Sequence, residues 1–284
     1  MSVKAQLGLL AIDVGTSRVK LGWFPSEMDC PSGGVSTSLP IAAPRLPEPA
    51  ETFACRHRDV PAQVFSAQIR HWLEEFVSGT PTVAIASVSP EATNPILAEL
   101  AALEFSDIQN LEVGDLPFAI DLQEPTRVGI DRVLAAVAVN RIRSADRPAI
   151  VISLGSACTV NLISADGTFQ GGAILPGLAM SAGALHTGTA SLLLIAVENL
   201  EIPDDGIGKH TTAAMSAGIY WGLVGGIEKL IREQSRSLSV EPQLFLTGGD
   251  APRVIDALQA SGHSVRLVPH LVLAGIAIAC ETRP

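Results

Sequence analysis

The chain has 284 residues, 47% of them hydrophobic and only 4% aromatic, so aliphatic and alanine packing must fill cores large enough for two domains. A formal net charge of −10 excludes broad nucleic-acid binding, because neutralising phosphates takes a basic surface. Cys30, Cys55, Cys158 and Cys280 lie far apart without metal-ligand spacing, which fits a reduced, cytoplasmic setting. Neither Leu7–Ile12, broken by Asp13, nor Leu271–Cys280 is long enough for a signal peptide or a membrane span.

In chain order, Leu7–Ile12 and Val19–Phe24 read as antiparallel strands joined by a Gly/Thr/Ser turn. Pro25–Pro49, rich in Pro, Ser and Gly, predicts an elaborated loop with one edge strand. Val60–Val77 has helical spacing at Val64, Ile69, Trp72, Leu73 and Phe76. Thr82–Val88 is a buried strand, and Ser89-Pro90 opens a helix through Ile96, Leu97, Leu100 and Leu103. After Glu124-Pro125 comes an alanine-rich helix, Ile130–Ile142. Ala149–Leu154 and Thr159–Ser164 then repeat the opening hairpin, with Asp166-Gly167 as a turn. Strand Phe169–Ile174 ends at Pro176-Gly177, and helices follow over Leu178–Val197 and Thr211–Gln234. Strand Gln243–Thr247, helix Pro252–Ala260, a short strand at Val265–Val268 and a last helix complete the order. Strand triplets followed by alternating helices and strands imply an α/β fold with duplicated halves.

The repeated hairpin is the chemical signal. AIDVGTSRVKLG (Ala11–Gly22) and VISLGSACTVNLI (Val151–Ile163) each place a Gly-plus-hydroxyl turn between two strands, and LTGGD follows at Leu246–Asp250. Glycine lets the main chain approach a ligand, and a turn of exposed N–H groups favours anions. Asp13 ends its strand facing the first turn, where it either accepts the turn's own N–H bonds or holds Mg²⁺ beside a polyphosphate. Thr16 and Ser17 add hydroxyls, and Lys20 is either a phosphate contact or a solvated strand lysine. Asp131 and Arg132 open the alanine-rich helix after Gly129. An Asp there complements the helix dipole, or serves as general base with Arg132 pairing a substrate anion. Lys209 in GIGKHT fails as a P-loop, since Pro203 stands where the first Gly belongs and His210 where Ser or Thr belongs. The six histidines form no ligand-spaced pair for zinc, and no G-x-S-x-G elbow occurs.

Taken together, these segments resemble the type III pantothenate kinase family, a branch of the acetate and sugar kinase/Hsp70/actin superfamily. The resemblance runs in one order through AIDVGTSRVKLG, SVSP, VGIDRVLAA, LGSACT, GTFQGGAILPGL, SAGALHTGTASL, IGKHTTAAMSAGIYWG and LFLTGGD. It implies two similar ribonuclease H-like domains, an actin-like duplication with a nucleotide cleft between them, divided at residues 1–120 and 121–284, the last helix packing back on the first. It implies ATP-dependent phosphorylation of pantothenate at its primary hydroxyl, the first step toward coenzyme A, by a cytoplasmic homodimer without nucleic-acid or membrane partners. By motif, Asp131 would be the catalytic base, and Asp13 would organise Mg²⁺ and the phosphates. Gly15, Thr16, Ser17 and Lys20 would cradle the phosphates, Gly155, Ser156 and Thr159 would line the second phosphate loop, and Gly248 with Gly249 would meet the nucleotide's far end. Gly129, Arg132 and Thr211 would contact pantothenate.

The chain departs from the family pattern at four places. Its first loop reads Asp-Val-Gly-Thr-Ser for Asp-x-Gly-Asn-Thr, Leu122 stands for a tyrosine, and His210 for an asparagine. Ser153 occupies the position of an Asp that helps hold a monovalent cation, so binding of K⁺ or NH₄⁺ is expected to weaken. These changes leave open a non-catalytic nucleotide-binding relative, or a kinase for another small hydroxy acid.

Overall fold

Alternation within the opening strand decides how the first sheet is covered. In the computed structural model, which describes residues 8–26, 45–58, 60–202 and 206–281, β1 (Leu9–Val14) pairs antiparallel with β2 (Arg18–Phe24). Most of the loop expected at Pro25–Pro49, and Cys30 with it, lies outside the described residues. A strand does follow it: β3 (Glu51–Arg56) adds to the free edge of β2. Next come α1 (Ala62–Phe76), β4 (Thr82–Ser87), α2 (Pro90–Ala102) and β5 (Ile108–Asn110). The sheet order is β3-β2-β1-β4-β5, with β4 and β5 parallel to β1. Leu10, Ile12 and Val14 point into one core with Phe65, Ile69 and Leu73 of α1 and Ile96 and Leu100 of α2. A strand's period of two turns Asp13 to the opposite face.

That opposite face belongs to two helices distant in sequence. α3 (Ile130–Ile142) and α7 (Leu271–Glu281) pack on each other and on the first sheet. α7 is buried without interruption from Leu271 to Ala279, as a helix apolar on every side must be. The two helices meet backbone to backbone: a Cβ on Gly275 would stand 2.1 Å from the Leu134 carbonyl oxygen. The chain accordingly groups into two compact units. One comprises Met1–Phe118, Gln123–Ile142 and Leu271–Pro284, and the other Ala119–Leu122 and Arg143–His270. A cut after residue 120 would assign α3 to the second half, but its apolar contacts lie with the first sheet.

The second unit repeats the first sheet's connectivity. β6 (Ala149–Leu154), β7 (Ala157–Ile163) and β8 (Phe169–Pro176) form an antiparallel meander. α4 (Leu178–Gly188) and α5 (Thr211–Ser235) follow it. Then β9 (Gln243–Thr247), α6 (Ala251–Ala260) and β10 (Val265–Leu267) complete the order β10-β9-β6-β7-β8. β1, β2, β3, β4 and β5 thus correspond in turn to β6, β7, β8, β9 and β10. Ile150, Ile152, Leu154, Cys158, Val160, Leu244 and Leu246 share a core with α5 and α6.

One helix is shorter than its sequence suggests. The segment Leu178–Val197 was expected to be helical throughout, but α4 stops at Gly188 and Thr189 is extended. The Thr189 hydroxyl donates to the Leu185 carbonyl at 2.7 Å, occupying an acceptor the next turn would have used. Leu193 and Leu194 beyond it are 72% and 62% exposed.

Candidate active site

The first unit gathers charge at one end of β1. Register places Lys20 directly opposite Asp13 on β2, so both side chains share a sheet face, and Lys20 Nζ lies 3.6 Å from an Asp13 oxygen. Asp13 is only 6% exposed. Burial raises its pKa above the usual carboxylate value, Lys20 pulls it down, and the nearby charge of Asp131 pushes it up again. Asp131 belongs to the first turn of α3, where the helix dipole favours a carboxylate. Its Oδ1 folds over Gly129, 2.6 Å from where a Cβ would stand, so a side chain at 129 would displace the carboxylate. Arg132, half-buried on the same turn, has its pKa lowered by burial and raised by Asp131.

Past Asp13 the chain makes the loop Gly15–Ser17. The Gly15 N–H donates to the Arg18 carbonyl at 3.0 Å, and Thr16 is exposed at the tip. Two hold-downs come from the end of β3. The His57 N–H donates to the Ser17 carbonyl at 3.2 Å, and His57 Nε2 lies 2.9 Å from the Gly15 carbonyl. A carbonyl only accepts, so Nε2 carries the proton.

The second unit builds a tighter version. The Gly155 N–H donates to the Ala157 carbonyl at 3.0 Å, one residue nearer than in the first loop. The Gly177 N–H donates to the Ser156 carbonyl at 3.1 Å, and a Cβ on Gly177 would lie 2.3 Å from the Gly155 oxygen. Gly248, at φ +105°, lies on the end of β6, where a Cβ would come within 2.0 Å of the Leu154 oxygen. Only glycine meets both demands. Gly249 is exposed beside it.

Ser153 occupies the strand position corresponding to Asp13. Its neighbours in register are Thr159 and Thr247, which puts three hydroxyl residues abreast on one sheet face. Thr159 also accepts from the Asn161 amide at 3.0 Å. Where the first unit has a carboxylate and an ammonium, the second has neutral oxygens. Thr211 opens α5, with His210 as the preceding cap, its Nδ1 accepting from the Ala213 N–H at 3.4 Å. His210 therefore fills the capping task an asparagine would otherwise serve. Leu122 packs beside Gly171.

The donor set of the first unit suits a hard divalent cation. The charge of Asp131 raises the cost of ionising Asp13, Lys20 offsets it, and magnesium is held by one or two carboxylates plus phosphate oxygens. Among the described residues no cluster of three or more His, Cys, Asp or Glu side chains forms an all-protein metal cage. A cavity of about 520 Å³ between β3 and α1, lined by Phe53, Arg56, Gln68, His71 and Trp72, includes none of the sequence-predicted site residues.

A family profile described as type III pantothenate kinase matches residues 9–233, four-fifths of the chain. The chain belongs to the type III pantothenate kinase family. A type III pantothenate kinase of Rhodopirellula baltica is 39% identical over 194 residues, spanning 67% of this chain and 68% of that protein. One from Chlorobaculum parvum is 30% identical over 274 residues, spanning 94% and 92%. A solved structure from Campylobacter jejuni, described as a candidate Baf family transcriptional activator, has a TM-score of 0.56 at 19% identity, covering 96% of this chain and 97% of its own. At that identity it supports the fold alone.

Within the family frame, the first unit brings together Asp13, Gly15, Thr16, Ser17, Lys20, Gly129, Asp131 and Arg132. The second holds Ser153, Gly155, Ser156, Thr159, Thr211, Gly248 and Gly249. Sequence reasoning missed three residues that shape these loops: His57, Gly177 and Thr247. Gly177 lies in the GTFQGGAILPGL segment, a usable signal, whereas His57 had none.

Proposed function

We propose that this chain transfers the terminal phosphoryl group of ATP to the primary hydroxyl of pantothenate, the first step toward coenzyme A. Family membership supports the reaction class. The observation that carries the residue assignment is the buried Asp13 within the field of Asp131, with Lys20 beside it.

Asp131 serves as general base: it takes the hydroxyl proton as the pantothenate oxygen bonds to the γ-phosphorus and the bond to ADP breaks. Arg132 pairs with the pantothenate carboxylate, with Gly129 and Thr211 as further contacts. The loop Gly15–Thr16–Ser17, with Lys20, cradles the phosphates. Gly155, Ser156 and Thr159 form the second phosphate loop, and Gly248 and Gly249 meet the nucleotide. Asp13 would hold Mg²⁺, which when bound would neutralise phosphate charge. The neutral row Thr159–Ser153–Thr247 supports turnover without a bound K⁺ or NH₄⁺. The family resemblance supports a cytoplasmic homodimer.

A coupled assay for ADP release with pantothenate, with and without K⁺, tests this. Pantothenate-dependent turnover that survives potassium omission is the expected result, and no turnover under either condition refutes it. Asp131→Asn should lower kcat by about 10²- to 10⁴-fold, the usual worth of a positioned base, while ATP still binds. Full activity in that variant would remove Asp131 from the role.

A further inference from the structure

The two loops share one backbone device, a loop carbonyl held by the residue that follows the third strand. After β8, the Gly177 N–H holds the Ser156 carbonyl; after β3, the corresponding strand, the His57 N–H holds the Ser17 carbonyl. In the second unit the Gly155 oxygen rests where a Gly177 side chain would be. The first loop is one residue longer, and there the corresponding Gly15 oxygen receives the imidazole Nε2–H at 2.9 Å instead. His57 is half-buried, and its ring lies edge-on to Phe65 at 6.1 Å, an arrangement that limits ring rotation.

From this we infer that His57 is a positioning residue for the first phosphate loop, setting the direction of the Thr16 N–H. The C=O and N–H of a trans peptide point opposite ways. Anchoring the Gly15 oxygen on His57 therefore aims the Thr16 N–H away from the histidine. The second bond, from the His57 N–H to the Ser17 oxygen, fixes the peptide joining Ser17 to Arg18 in the same manner. One residue thus fixes two of the loop's peptide planes, so that the Thr16 N–H meets an anion without rearranging as it arrives. The ring makes this contact from the carbonyl side and touches no phosphate itself. The inference rests on the phosphate-binding assignment of the Gly15–Ser17 loop.

Two substitutions separate the donor from the ring. His57→Phe keeps the aromatic contact with Phe65 and removes the N–H; His57→Gln loses the ring but keeps an amide donor. Calorimetric titration with Mg²⁺-ATP should show binding about fivefold weaker in His57→Phe, the worth of one ordinary hydrogen bond, and close to the parent in His57→Gln. KM for pantothenate should not move in either, and thermal melts should confirm folding. Parent-like ATP affinity in His57→Phe overturns the inference. Equal weakening in both variants overturns it too, because the ring's packing would then be the cause. If the parent chain itself binds no ATP, the phosphate-loop assignment has failed and this role falls with it.

Discussion

Asp13 illustrates how one side chain is placed against its own preference. Burial raises its pKa from the ordinary 3.8, so as pH rises from there the folded chain keeps a proton that the unfolded chain has already released. Native protein then binds more protons than unfolded protein, and stability falls through that window, with the whole cost present above the folded pKa. Asp13→Asn should therefore raise the thermal midpoint at neutral pH, with the gain shrinking as pH falls toward 3.8. Mg²⁺-ATP should raise the midpoint of the parent and not of this variant. A lower midpoint for Asp13→Asn at neutral pH would contradict the sign. The Asp13–Lys20 pair was only half legible in the sequence: both residues flank the first turn, but a loop of residues 15–17 alone would set Val19 opposite Asp13, and the observed register sets Lys20 there. The approach of Asp131 was not legible, because it depends on which sheet face α3 covers. His57 was invisible for a related reason: its partner lies 42 residues away across a strand no pattern announced.

Among the elements, those with an undisturbed period were the readable ones. α3 and β9 fall where the spacing put them, at Ile130–Ile142 and Gln243–Thr247. β3 is mostly exposed and β5 has three residues, so neither offers an apolar alternation to detect. The overlong reading of α4 has the opposite cause, an apolar run, Leu192–Ala196, that continues past Gly188 without continuing the helix. The α3–α7 contact yields a prediction at this scale. Replacing a mid-helix glycine by alanine ordinarily gains about 1 kcal/mol. Here the new methyl would sit 2.1 Å from backbone oxygen, and overpacking of this kind costs about 1–3 kcal/mol or more. Gly275→Ala should therefore lower the thermal midpoint. A rise would mean that the helices separate freely.

Over the whole molecule, the duplicated connectivity was foreshadowed by the repeated hairpin, while the grouping of α3 and α7 with the first sheet needed three-dimensional packing to appear. The two copies have diverged in charge, Asp13 and Lys20 in one against Ser153, Thr159 and Thr247 in the other. They also differ in surface. Ile174, Leu193 and Leu194 of the second unit are 64%, 72% and 62% exposed. Exposed apolar side chains of this size are what an association surface would cover, and a homodimer is the association we propose. Light scattering should give twice the chain mass of 29.6 kDa, and Leu193→Asp with Leu194→Asp should shift it toward the single chain. A monomeric parent would refute the dimer. The seam between Gly248 and Leu154 has its own consequence. Main chain abuts main chain there with no side chain to act as cushion, so neither segment can be exchanged alone. Anyone transplanting the Leu246–Asp250 loop into another scaffold must carry the tip of β6 with it, as a single cassette.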